Sequence, residues 1–270
     1  MQLVDTHCHI HEAAASGGDD DFVRQKWAKG GFTSPEPLIE EAIKAGVTRM
    51  ICVGTTLRDS ELAVELAGKD PHCHASIGIH PHEAKDHLDQ ATQERFVKLA
   101  TSDHVVAIGE FGLDYYYNHS DKKDQLALLE FQLDLAQKHD LPCIFHVRDA
   151  FDDFWPVFDQ FQGIRGVLHS YTDNQTNLDK ALSRGLYIGV NGIATFARET
   201  EKRVMYITIP QHRLLLETDA PFLTPAPYRS IICQPKHIRV TAEFLAGLRE
   251  EAVAALAKQT TQNACDLFSI

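Results

Sequence analysis

Three observations predict an α/β fold, a single (β/α)8 TIM barrel spanning residues 1–270. Eight short β-rich runs recur along the chain, and each is followed by a segment that carries apolar residues at helical spacing or by an irregular excursion. Strict alternation of this kind calls for parallel strands joined by right-handed crossovers, and this many units suits a closed barrel better than an open sheet. Polar residues capable of chemistry gather where the strands end, and the turn after the first strand reads Thr6-His7-Cys8-His9 instead of the Gly-rich turn of a doubly wound nucleotide-binding sheet.

The strands are expected at Leu3 to Ile10, Val47 to Thr55, His72 to Ile79, Val105 to Leu113, Pro142 to Val147, Gly166 to Tyr171, Leu186 to Gly192 and Arg213 to Thr218. Helices are expected at Pro35 to Ala45, Leu57 to Lys69, Gln90 to Thr101, Lys122 to His139, Ala150 to Phe161, Gln175 to Arg184 and Glu199 to Ile207, with two more, Lys236 to Glu250 and Ala252 to Leu267, closing the chain. Leu126, Leu129, Leu133 and Ala136 form one apolar stripe of the required period. Glu12 to Ser34, with Gly17-Gly18, the acidic run Asp19-Asp20-Asp21 and Gly30-Gly31, reads as a long surface excursion.

The composition, 44% hydrophobic and 24% charged, is that of a globular protein and excludes disorder and collagen. No apolar stretch approaches a membrane span, and Met1-Gln2-Leu3-Val4-Asp5 lacks a secretory start, so a cytoplasmic location with no membrane is expected. The net charge of −12 argues against a broad cationic footprint for nucleic acid. The six cysteines form no CxxC pair and are expected to stay reduced. Histidine, with 15 copies, stands out.

His7 and His9 end the first strand, His80 the third, Glu110 the fourth, His146 the fifth, His169 the sixth and Asp219 the eighth. In a parallel barrel these ends open on one face. Residues two apart share a side of a strand, which pairs His7 with His9, His146 with Arg148, His169 with Tyr171 and Glu217 with Asp219, and puts Asp5 beneath His7 as an acceptor for an imidazole N–H. Gathering so many titratable groups without a cation would cost several kcal/mol, so a metal site is expected. His80 at a strand end could reach a substrate oxygen. A surface turn accounts for Pro81 and His82, and the other histidines, His11 and His119 among them, receive no role.

The blocks Asp5-Thr6-His7-Cys8-His9, Gly78-Ile79-His80-Pro81-His82, Gly109 to Tyr116, Pro142 to His146, Gly166 to Ser170 and Leu216 to Pro221 occur in order from residue 3 to about residue 228. Together they resemble the signature blocks of the TatD family, metal-dependent hydrolases of the amidohydrolase superfamily that act as deoxyribonucleases. The resemblance implies two divalent cations, zinc, magnesium, manganese or cobalt: one held by His7, His9 and Asp219, one completed by His146 and His169, with Glu110 bridging both. Glu110 and Asp219 would be catalytic, Asp219 taking a proton from the attacking water. His80, Arg148 and Tyr171 would contact substrate, Arg148 as a forked phosphate donor unless Asp149 or Asp152 pairs it, and Tyr171 or Tyr115 by stacking on a base. The implied activity is a 3′-5′ exonuclease on single-stranded DNA or DNA 3′ ends, with no obligatory protein partner. After Arg229 the chain reads Ser230-Ile231-Ile232-Cys233-Gln234-Pro235, which departs from the family pattern and keeps open a carboxylic ester or amide hydrolase, such as aminoacyl ester cleavage, on the same site. A degenerate, non-catalytic barrel is disfavoured because every implied ligand is present.

Overall fold

The computed structural model describes residues 1–14, 22–117 and 119–270; Gly17-Gly18 and the run Asp19-Asp20-Asp21 lie outside them. Its strands are Leu3–Cys8 (β1), Val47–Val53 (β2), Cys73–Ile77 (β3), Val105–Asp114 (β4), Cys143–Arg148 (β5), Gly166–Leu168 (β6), Tyr187–Val190 (β7) and Leu214–Leu216 (β8). They form one sheet in sequential order, and Cys8 bridges Ala220, just past β8, in parallel sense, so the fold is the (β/α)8 barrel that the alternation predicts.

The helices are Phe22–Lys29 (α1), Glu36–Lys44 (α2), Leu57–Lys69 (α3), Gln90–Leu99 (α4), Lys122–His139 (α5), Phe151–Phe158 (α6), Gln175–Ser183 (α7), Thr200–Thr208 (α8), Ile238–Leu248 (α9) and Val253–Phe268 (α10). Their starts follow capping chemistry: Thr56, Asp89 and Asn174 each accept a backbone N–H from three residues on, at the heads of α3, α4 and α7. No described helix is long and apolar enough to cross a membrane.

The excursion after β1 is more than surface. Its second half folds as α1, whose Trp27 is fully buried and donates Nε1–H to the His9 carbonyl at 2.9 Å. An indole whose N–H is satisfied in the core can anchor a helix as short as this one.

The chain divides into two compact units, each described by itself. In the first, Met1–Cys52 with Ser170–Asp266, every residue of β1 is buried. β8 is only three residues long, so the segment beyond it is tied to β1 by other groups. The Thr6 hydroxyl donates to the Leu216 carbonyl (3.0 Å), Asp219 N–H to the His7 carbonyl (2.8 Å) and His9 N–H to the Ala220 carbonyl (2.8 Å). Asp5 accepts the Thr218 N–H (2.9 Å) and hydroxyl (2.6 Å) and the His7 N–H (3.3 Å). The expectation that Asp5 receives an imidazole N–H is therefore corrected: backbone that leaves a ladder must find partners, and Asp5 supplies them.

In the second unit, Val53–His169 with Leu267–Ile270, α5 does the same for β3 and β4. Gln132 accepts the Ile79 N–H (2.7 Å) and donates to the Ile79 carbonyl (3.2 Å). Two turns earlier, Gln125 accepts the Asp114 N–H (2.8 Å) and donates to the Asp114 carbonyl (3.1 Å). Both amides are buried, and seven residues apart they lie on one face of the helix. The inward face of α5 is thus not a purely apolar stripe: two amides on it hold backbone that no longer belongs to a regular ladder.

Candidate metal centre

Within the first unit, β1 delivers two imidazoles and the segment after β8 a carboxylate. His7 Nε2 lies 3.7 Å and His9 Nε2 3.4 Å from Asp219 Oδ1, with the two rings edge to face at 5.1 Å. His7 and His9 are buried and the Asp219 side chain is 15% exposed. Asp219 reaches this position from a left-handed backbone (φ 60°), a conformation that a short polar residue tolerates at modest cost. Its carbonyl accepts the Phe222 N–H at 2.7 Å, and the Phe222 ring stands 6.4 Å from that of His9. Glu217, two residues before Asp219, is buried and accepts the Ser170 N–H (2.7 Å) and an Asn191 amide N–H (3.3 Å).

Within the second unit, three imidazoles surround one oxygen. Glu110 Oε1 lies 2.8 Å from His146 Nδ1, 3.7 Å from His80 Nε2 and 3.8 Å from His169 Nε2. His80, Glu110 and His146 each offer a ligand atom, all within 4.8 Å of one another. Gly112 is needed here: a Cβ on it would sit 1.9 Å from the His146 carbonyl oxygen, so β4 and β5 meet closely only because that atom is missing.

Asp114 organises the surroundings. Its Oδ2 faces His146 Nε2 (2.9 Å) and His82 Nε2 (3.0 Å), while Oδ1 accepts the Tyr116 and Tyr117 N–H groups at 2.9 and 3.0 Å. Burial opposes its charge, but the imidazole and backbone hydrogen bonds hold its carboxyl well below the usual range. Burial likewise opposes a charged His146, yet Asp114 and Glu110 on either side lift it to about 9. Burial and the neighbouring His146 push His80 the other way, well below 6.5. A ring kept protonated between two carboxylates marks a place that favours positive charge, and a borderline donor set of imidazole nitrogens and carboxylate oxygens suits a divalent cation. The residues present in each unit fit a metal.

Of the residues expected to touch substrate, His80 joins the Glu110 cluster. Arg148 lies at the end of β5 with its guanidinium 4.1 Å from the Tyr116 ring centre and 4.8 Å from that of Tyr117, held on these rings and not by the alternative pairing with Asp149 or Asp152. Tyr171 is corrected: it is buried, and its hydroxyl donates to the Asn174 carbonyl (2.6 Å), so it packs the turn before α7. Tyr115 donates to Asp153 (2.9 Å) under the Lys122 ammonium. His82, expected in a surface turn, is bound into the Asp114 network. Asp114 was legible in principle, since it follows Glu110 by four residues and shares its side of the strand.

Residues 4–269 match the family described as TatD related DNase. The chain is 35% identical over 243 residues to the 3′-5′ ssDNA/RNA exonuclease TatD of Escherichia fergusonii, covering 87% of this chain and 93% of that protein. It is 33% identical to the uncharacterized metal-dependent hydrolase YcfH of Escherichia coli, covering 100% and 97%. Among solved structures it resembles the TatD homologue YJJV of Escherichia coli, with a TM-score of 0.85 and 26% identity over 99% of this chain and 98% of that one.

Proposed function

The chain belongs to the TatD related DNase family, and from that premise we propose that it is a metal-dependent nuclease that shortens single-stranded DNA from the 3′ end, working in the cytoplasm. The observation that carries this reading is the ring of imidazoles around Glu110 Oε1, an arrangement with little purpose other than holding a cation.

Following the family pattern, His7, His9 and Asp219 would hold one divalent cation and Glu110, His146 and His169 another; zinc, magnesium, manganese or cobalt would satisfy these donor sets. Such a pair, when bound, acidifies water and draws charge from the oxygens of a phosphodiester. The chain's own groups do the rest. Asp219 takes the proton of the attacking water at Oδ2, because Oδ1 is the oxygen set against both imidazoles. Asp114 fixes the His146 ring so that Nδ1 faces Glu110. His80 and Arg148 donate to phosphate oxygens, Arg148 from its seat on two tyrosine rings. The ester and amide reading finds less support, since the relative that is 35% identical bears the name of an exonuclease.

The test is to strip the protein with a chelator, restore it with each metal in turn, and follow single strands labelled at the 5′ end beside a carboxyl ester. A ladder receding from the 3′ end, absent from the stripped protein and from Glu110→Ala, is expected. Full activity after stripping, or ester cleavage outpacing DNA, would overturn the proposal.

A further inference from the structure

The substrate proposed above is a polyanion, and the chain carries a net charge of −12. Against that background α1 is unusual: Phe22-Val23-Arg24-Gln25-Lys26-Trp27-Ala28-Lys29 contains three cations and no acid. Asp19-Asp20-Asp21 precede it in sequence, whereas Lys26 and Lys29 stand in its last turn. Among the described residues neither lysine forms an ion pair.

The helix is fixed beside ligand-bearing backbone. Trp27 binds the carbonyl of His9, and Phe22 lies parallel to Phe222, with centroids 6.0 Å apart and planes inclined by 17°. The Lys26 ammonium stands 4.4 Å over the same Phe222 ring. Phe222 in turn packs against His9 and binds the Asp219 carbonyl. Phe22 is 68% exposed, although a ring this large gains by burial. An open aromatic face with cations beside it is what recognition of a single strand uses: bases stack on the ring while ammonium groups neutralise phosphates. A duplex hides its base faces and would gain only the second contact.

We propose that α1 is a docking ledge for the single-stranded substrate, with Phe22 stacking on a base and Lys26 and Lys29 meeting its phosphates. The inference rests on the nuclease reading and gives that site its preference for single strands.

The experiment measures anisotropy of a fluorescent, phosphorothioate-linked single strand with manganese-loaded protein across a salt series. Lys26→Gln with Lys29→Gln is expected to weaken binding about tenfold at low salt and to flatten the slope of log K against log salt by about 1.4, the release expected for two phosphate contacts on a single strand. Phe22→Ala should weaken binding about tenfold with the slope unchanged. Lys69→Gln, at the exposed last position of α3 and paired with Glu65, is the control and should bind as wild type. Unaltered affinity and slope in both ledge variants, in a protein that still binds and cleaves DNA, would overturn the ledge alone. If an acidic peptide bound the wild type and competed through these lysines while the single strand did not bind, the ledge would belong to a protein partner and this inference would fall. A metal-loaded wild type that neither binds nor cleaves DNA would overturn the nuclease reading and the ledge with it.

Discussion

Replacing Asp114 by asparagine keeps the shape of the side chain and tests how the His146 ring is held. The amide retains an oxygen for the Tyr116 and Tyr117 N–H groups, so the turn after β4 should survive. Its nitrogen, however, presents N–H to His146 Nε2, where the carboxylate had accepted a proton. A cation must displace the Nδ1 proton of the protonated ring, and the carboxylate keeps the remaining proton on Nε2; opposite the amide donor the ring would instead hold that proton on Nδ1, the atom that faces Glu110 at 2.8 Å and is needed bare for a cation. Loss of an outer carboxylate of this kind typically lowers metal affinity about 10- to 100-fold, or about 1.4 to 2.7 kcal/mol. Titration against a chelating indicator would measure the change, with urea unfolding as a check that stability is retained. An Asp114→Asn variant that binds metal as tightly as wild type would refute the argument that Asp114 sets the tautomer.

Gln132→Leu removes both partners of the Ile79 peptide groups, and with about 1 to 3 kcal/mol for each buried group left unsatisfied it should cost about 2 to 6 kcal/mol in urea unfolding. Gly112→Ala drives a Cβ toward the His146 carbonyl from a backbone with φ 149°; a lowered melting temperature together with weaker metal binding is expected, and a normal melt would contradict the close approach. His237, buried and accepting the Gln234 N–H, has its pKa pushed down by burial to about 4. The unfolded chain takes up that proton near 6.5 and the folded chain does not, so this contribution is full above pH 6.5 and lost as pH falls toward 4. At about 1.4 kcal/mol per unit it amounts to no more than about 3.5 kcal/mol. In His237→Asn, urea midpoints compared at about pH 7 and about pH 5, either side of the unfolded histidine's titration, should show a flatter decline.

The strands and nine of the helices were legible because each buries a continuous or periodic apolar surface that the order of residues reveals. β6 and β8 end sooner than the hydrophobic runs suggest, since backbone after them turns away to present His169 and Asp219, and hydrophobicity does not encode where a ladder stops. α1 escaped notice because Trp27 alone among its eight residues is buried, so no apolar stripe marks it in the sequence. Alternation placed His7 with His9 correctly, yet the same rule misled for Asp5 and Tyr171, because it gives the side of the strand and not the competing partner. Thr218 claimed the first and the Asn174 carbonyl the second. Gln125 and Gln132 were invisible for a different reason: on an otherwise apolar helix face a buried amide looks like an exception until the backbone it serves is known.

The stitching of β1 to the segment after β8 bears on how the polypeptide is made. Leu3–Cys8 leaves the ribosome some 210 residues before Leu216, Thr218 and Ala220, which complete one of its edges. During that interval a strand whose every residue is buried in the folded protein has an open side, the condition under which nascent chains pair with the wrong neighbour. A truncation ending before Leu214 should therefore need a chaperone to stay in solution, whatever the state of its histidines.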